Sequence, residues 1–334
     1  VAVRCEPWTS GDSWLALRTP DATLLNVNDC AIYAAEDIAA IRAKVGAVDV
    51  LATQFSLSAW SGNPEDTDRL RASGERMLER MVAHARGFEA RFTIPFASFV
   101  WFCHEENAYL NPFHNRVDAA AAALRERTAS APVVLYPGDV WEVGAAHDPQ
   151  AAIDRYRADY DALPSRPLHR AESVPEPELI ALAEAWCDQI RGSVDALRLR
   201  VRLARQRFRD RTPGSALASM TGAAALATLT APEAMIWIDD YDAAFSFDLF
   251  HGLRRSRRRR ERCDIALSSD SLRYAFQFLW GGETLLVNGR FRELRPDGRR
   301  PLFQYFGLAG GRNRGETIGW SELLRRRLRR PRAA

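Results

Sequence analysis

Lysine is almost missing from this sequence: Lys44 stands alone among 46 basic residues, and all the others are arginine. Against 43 acidic residues the formal charge is only +3, too weak a field to argue for a nucleic-acid partner by itself. The arginine bias, with abundant alanine, matches a GC-rich bacterial coding sequence and carries little functional information. Cysteine is also scarce. Cys5, Cys30, Cys103, Cys187 and Cys263 are scattered and form no CxxC or CxH pair. This argues against a disulfide framework, a zinc ribbon or an iron–sulfur cluster within the chain, and predicts a reducing, cytoplasmic setting. Long apolar runs are lacking as well. The uncharged stretch from Thr212 to Pro232 is rich in Gly, Ser, Thr and Ala and holds two prolines. A membrane span needs about 20 strongly apolar residues, so no span is expected. No signal peptide is visible, and the chain opens at Val1 inside a strand-like run.

What is present suits a packed protein with two domains. Hydrophobic residues make up 47% of the 334 positions, enough for a sizeable core. Over residues 1–140, short β-rich runs ("VAVRCEPW", "SWLALRT", "TLLNVNDCAI", "VDVLATQFS") alternate with helical patterns. The patterns predict helices at about 36–45, past the turn "SGNPEDTD" through Leu70 and Met81 to Gly87, and at about 115–129. "ARFTIPFASFVWF" reads as one long apolar strand, and "VVLYPGD" as another. Strands alternating with helices indicate an α/β layered domain. Four prolines between Pro164 and Pro177 mark a linker, followed by a long helix over 176–209. Over 233–334 an α+β unit is expected, with strands "AMIWIDDY", "AFSFDLF", "CDIALSS" and "ETLLVNGRF" and a helix capped by Ser269 and running through Leu272, Phe276 and Leu279.

Three strand ends carry candidate chemistry, because rigid strands there open into solvent-facing loops. "NVNDC" holds Asn28 and Asp29, "FCHEENAYLN" holds His104, Glu105, Glu106 and Asn107, and "YPGDVW" holds Asp139. Each has a plainer alternative. Asp29 can cap the following helix, Asp139 follows Pro-Gly as turn residues do, and His104 with its glutamates can form a solvated loop.

The phrases "LLNVNDCAI", "VDVLATQFSLSAWSG", "FTIPFASFVWFCHEENAYLN" and "VVLYPGDVWEVG", in this order, resemble the later half of metallo-β-lactamase-fold proteins. The branch they resemble contains the CMP-N-acetylneuraminate hydroxylases and the UDP-N-acetylmuramate hydroxylases, and the similarity covers about residues 1–145. The resemblance implies an α/β fold: partial αββα metallo-β-lactamase-like layers followed by a smaller α+β domain. Its boundaries would be 1–162 for the second half of the metallo-β-lactamase-like domain, 163–232 for the Pro-rich linker and helical connector, and 233–334 for the C-terminal domain with its basic tail. It also implies a divalent metal (zinc, iron or manganese), with Asp29 and His104 as ligands and Asn28 as a neighbour that orients Asp29. His104 and Glu105 would be the catalytic groups, with Asn107 and Asp139 near a small-molecule substrate such as a sugar nucleotide.

The departures from the family are equally specific. Its HxHxDH motif should precede Asp29, yet all six histidines follow Asp29, and no two have that spacing. A catalytic metal usually takes about three protein ligands. The expectation is therefore a C-terminal portion of a longer product, binding metal only weakly and leaving an apolar face over Val1–Ile32 uncovered. The CxH and CxxH pairs of a Rieske cluster are absent, so hydroxylation would require a separate redox partner. Hydrolysis needs only a metal-activated water, and a non-catalytic binding or scaffold protein is the competing class. Residues 264–292 weakly resemble the sterol-carrier-like fold, with Phe276, Phe278, Trp280, Phe303, Tyr305 and Phe306 serving either a core or an apolar ligand. The arginine runs at 254–262 and 325–332 read as a solvated loop and a tail, without any recognition motif for nucleic acid.

Overall fold

The computed structural model describes residues 1–7, 12–28, 30, 32–57, 59–191 and 233–313. The chain divides into two compact units, Val1–Cys103 with Ala108–His169, and His104–Asn107 with Arg170–Ala334. The helix Glu176–Arg191, read from sequence as the start of a connector, therefore belongs to the second unit. The rest of that predicted helix, the uncharged stretch to Pro232 and the C-terminal arginine run lie outside the described residues.

The first unit is built on strands β1 (Ala2–Pro7), β2 (Ser13–Arg18), β3 (Thr23–Asn26), β4 (Val50–Thr53), β5 (Phe92–Pro95) and β6 (Ala131–Pro132). They form one sheet in sequence order: β1, β2 and β3 pair antiparallel, and β3 to β6 run parallel. Helices α1 (Ala35–Val45), α2 (Thr67–Gly87) and α3 (Val117–Arg127) are the crossovers between successive parallel strands. Right-handed crossovers laid down in one direction place all three on one face of the sheet. Periodicity confirms this: Ile38, Ile41 and Val45, then Met81, Val82 and Ala85, then Ala120, Ala121 and Leu124 join Trp14, Ala16, Leu25 and Leu51 in a single core. α4 (Gln150–Ala162) adds Ala152 and Ile153 to it.

The opposite face is covered unevenly. Trp141 packs edge-on over Phe92 with ring centroids 5.0 Å apart. At the β1–β3 end, Val3 pairs with Leu17 and Leu17 with Leu24; Val3 is 65% exposed and both leucines are half-buried.

One expected strand is much shorter than its apolar run, and the other, "VVLYPGD", does not form, the strand there being the two residues before it. β5 stops at Pro95, which has no N–H to donate, and Ala97 takes a left-handed φ of 52° that turns the chain out of the sheet. Phe99 then stacks on Tyr156 at 4.3 Å instead of continuing a ladder. β6 is an edge strand of two residues ending at Pro132, a position where proline is tolerated.

The second unit contains a five-stranded sheet made of β7 (Ala234–Ile238), β8 (Ala243–Asp248), β9 (Gly252–Ser256), β10 (Ile265–Leu267) and β11 (Arg292–Glu293), in the order β11-β10-β7-β8-β9. Helices α5 (Glu176–Arg191), α6 (Ser269–Gln277), α7 (Gly281–Asn288) and α8 (Arg300–Asn313) complete it. The rings of Trp186, Phe247, Phe276 and Phe306 interlock at centroid distances of 5.1–6.0 Å. The first arginine run is not wholly a loop. It begins in edge strand β9, where Arg254 and Arg255 pair with Glu233 and Glu176, and charged edges discourage pairing with other chains.

"ETLLVNGRF" is helical through Asn288, which corrects the strand reading that the sterol-carrier-like resemblance used. The helix ends at Gly289, whose φ of 67° favours glycine. It also depends on Gly282, where an added Cβ would lie 2.2 Å from Phe306 Cγ. That ring is held by Trp186, Phe276 and Phe303 and has no room to yield. Gly282→Ala is expected to cost about 2 kcal/mol by overpacking, measurable as a lowered denaturation midpoint at unchanged slope.

Candidate functional site

Four parallel strands, β3 to β6, release the chain at one edge of the sheet of the first unit, and polar residues follow each release point. In open α/β sheets this carboxyl edge is where ligands bind. Three of the four phrases singled out above run through β3, β4 and β5 and across that edge, and the fourth, "VVLYPGDVWEVG", begins directly after β6.

Beyond β3, the Asn28 N–H donates to Asn26 Oδ1 at 2.9 Å, making a local turn. Asp29 itself lies outside the described residues. At the end of β4, Thr53 Oγ1 sits 2.9 Å from His84 Nδ1, while His84 Nε2 sits 2.9 Å from the Ile32 carbonyl. A carbonyl can only accept, so Nε2 carries the proton and Nδ1 accepts from the threonine hydroxyl. Burial drives the His84 pKa down to about 4, so this ring is neutral and fully bonded. Next to it Arg80 donates to Gln54 Oε1 at 2.7 Å and lies over the Tyr33 ring. Asn115 ties the ends together, donating to the carbonyls of Phe55 and Gly74 and, from its backbone, to Ser56 Oγ. Beyond β6, Asp139 closes a turn. Its carboxylate accepts from Tyr136 N–H and from Arg155, each at 2.9 Å, and the Tyr136 N–H holds its pKa below the usual Asp value despite the opposing cost of desolvation.

His104, Glu105 and Asn107 belong to the second unit. Asn107 is buried; its Oδ1 accepts the His104 N–H at 3.0 Å and its Nδ2 donates to the Asn288 carbonyl at 2.7 Å. Glu105 is exposed, 3.9 Å from Arg170. The residue of this turn with the strongest contacts is Glu106, to which sequence reasoning gave no role. Its carboxylate accepts from Arg290 Nε at 2.6 Å, and Arg290 Nη2 reaches Asp270 at 2.8 Å. The partner lies 184 positions away, so no local signal could single it out.

Among the described residues, no three His, Cys, Asp or Glu side chains come together as a metal's ligand set. The described part of the predicted ligand pair, His104, has its backbone tied into the turn at Asn107, and Asp29 falls outside the description.

The first unit also contains a pocket of about 480 Å³, a size typical of small-molecule sites. Trp101 and Tyr160 form its aromatic walls, with centroids 6.2 Å apart. Arg116, preceding α3, places its guanidinium 5.6 Å from the Tyr160 ring and pairs with Asp161 at 2.8 Å. His114 lines the same space. Burial lowers its pKa, and the Asn115 and Leu57 carbonyls only partly offset that. Arg166 is exposed beside these groups. These residues come from four separate segments, which explains why no motif revealed them. No family model matches this chain, and neither a curated protein nor a solved structure matches it.

Proposed function

We propose that this chain is a metal-dependent hydrolase of the metallo-β-lactamase type, or a hydroxylase-like relative acting on a sugar nucleotide, with Asp29 as a metal ligand. One observation carries this reading. Three of the phrases that resemble the family run through the adjacent parallel strands β3, β4 and β5, and the fourth begins directly after β6, so the chain leaves the sheet at one edge in all four. In sequence, Asp29 follows the end of β3 by three residues. A bound metal would activate water or polarise a substrate oxygen. Around it, the neutral His84–Thr53 pair would fix the ends of β3 and β4, and Arg80 would contribute positive charge near the edge.

The second reading is a non-catalytic binding or scaffold protein that keeps the fold without the metal centre. Manganese titration followed by electron paramagnetic resonance separates the two. The metal-dependent reading expects weak, saturable binding that Asp29→Ala abolishes, because one carboxylate holds a divalent ion poorly but specifically. Binding unchanged by Asp29→Ala, or no saturable binding at millimolar metal, leaves the scaffold reading in its place.

A further inference from the structure

The pocket lined by Trp101 and Tyr160 has a composition that selects its ligand, and this selection stands apart from any metal at Asp29. Its sides are apolar: two aromatic rings with Pro112, Leu163, Pro164 and Leu168. Its polar groups differ sharply in what they can still offer. Asn111 is held by the backbone, accepting from Phe102 N–H at 2.9 Å and donating to Phe102 O at 2.8 Å. His114 is kept neutral by burial and adds no charge. Arg116 is balanced by Asp161, a pair that leaves no net charge at the pocket. Arg166 has no ion pair among the described residues, so the lining carries one uncompensated positive charge.

We propose that this pocket binds small aromatic monocarboxylates, with the ring system packed against the contacting Trp101 and Tyr160 rings and the carboxylate on Arg166. A flat body suits walls set edge to face, where aromatic contacts add to plain burial. A planar carboxylate suits the fork of a guanidinium, which can grip both oxygens at once. The charge balance argues against a phosphate monoester, which carries about −1.5 to −2 at neutral pH and would leave excess negative charge against a single free cation. A volume of about 480 Å³ leaves room for a two-ring body.

Isothermal titration with indole-3-acetate, indole-3-acetamide and phenyl phosphate tests this. The acetate should bind, and the uncharged amide and the phosphate should each bind about tenfold more weakly, the size of one charge-assisted hydrogen bond. Arg166→Ala should weaken the acetate about tenfold and leave the amide unchanged, and Arg166→Lys should restore part of the loss. Because Arg166 is exposed and its side chain has no hydrogen bond or ion pair among the described residues, the variant should keep the parent melting temperature, which serves as the folding control. Equal affinity for acetate and amide, tighter binding of the phosphate, or indifference to Arg166→Ala would each overturn the proposal. So would the absence of acetate binding at millimolar concentration.

Discussion

Arg290→Ala should destabilise the second unit by about 3 kcal/mol, among the largest losses expected from any single polar substitution here. The side chain of Arg290 is only 8% exposed and lies between two carboxylates, Glu106 at 2.6 Å and Asp270 at 2.8 Å. Removing it leaves both carboxylates desolvated without their shared partner. That residual charge, more than the lost attraction, makes breaking such a pair costly. Glu106→Gln keeps the shape and one hydrogen bond, so its loss should be smaller. Chemical denaturation of the three proteins gives the comparison, and equal stability of Arg290→Ala and the parent would refute it. Acid should act on the same cluster. Burial raises the Asp270 pKa, but its bonds to Arg290 and Arg273 outweigh this and hold it below the ordinary value of 3.8. A depressed carboxylate contributes stability above its unfolded pKa and loses it as pH falls through the folded one. The cluster should therefore weaken only below about pH 4.

His84 should give the first unit a second and separate pH dependence. Its pKa falls from 6.5 to about 4 because the ring is buried, so the unfolded chain takes up the proton more readily than the folded one. Stability is then complete above pH 6.5 and declines as pH drops toward 4, by about 3 kcal/mol at 1.36 kcal/mol per pKa unit. His114, also lowered by burial, adds a contribution of the same sign. His84→Gln should lower stability at neutral pH, since it disturbs the bonds to Thr53 and Ile32, yet flatten the slope between pH 6.5 and 4. A slope as steep as that of the parent would show that His84 is not the group responsible.

Much of the architecture could be read from local pattern, because helices and strands announce themselves by which residues repeat on one face. Leu70, Met81 and Val82 marked α2, and Gly46 and Gly87 marked helix ends within one residue. The α/β alternation was equally legible, since each crossover helix must bury one stripe against the sheet. Pattern misled where apolar composition and backbone geometry disagree. "FTIPFASFVWF" has the composition of a strand but holds Pro95 and the left-handed Ala97. "ETLLVNGRF" has strand-forming residues but begins after two glycines packed beneath Tyr274 and Phe306.

By itself the sequence determined the mixed α/β class and the alternation of strands and helices in the first unit, because these follow from local periodicity and from the chemistry of turn residues. Only the tertiary structure decided which polar residues meet. It joined Glu106 to Arg290 across 184 positions, placed His84 against Thr53 and Ile32, and assembled Trp101, Arg116, Tyr160 and Arg166 from separate segments around one pocket. Such meetings depend on how whole elements pack, and packing is a property of surfaces brought together by the complete chain, to which no local pattern refers.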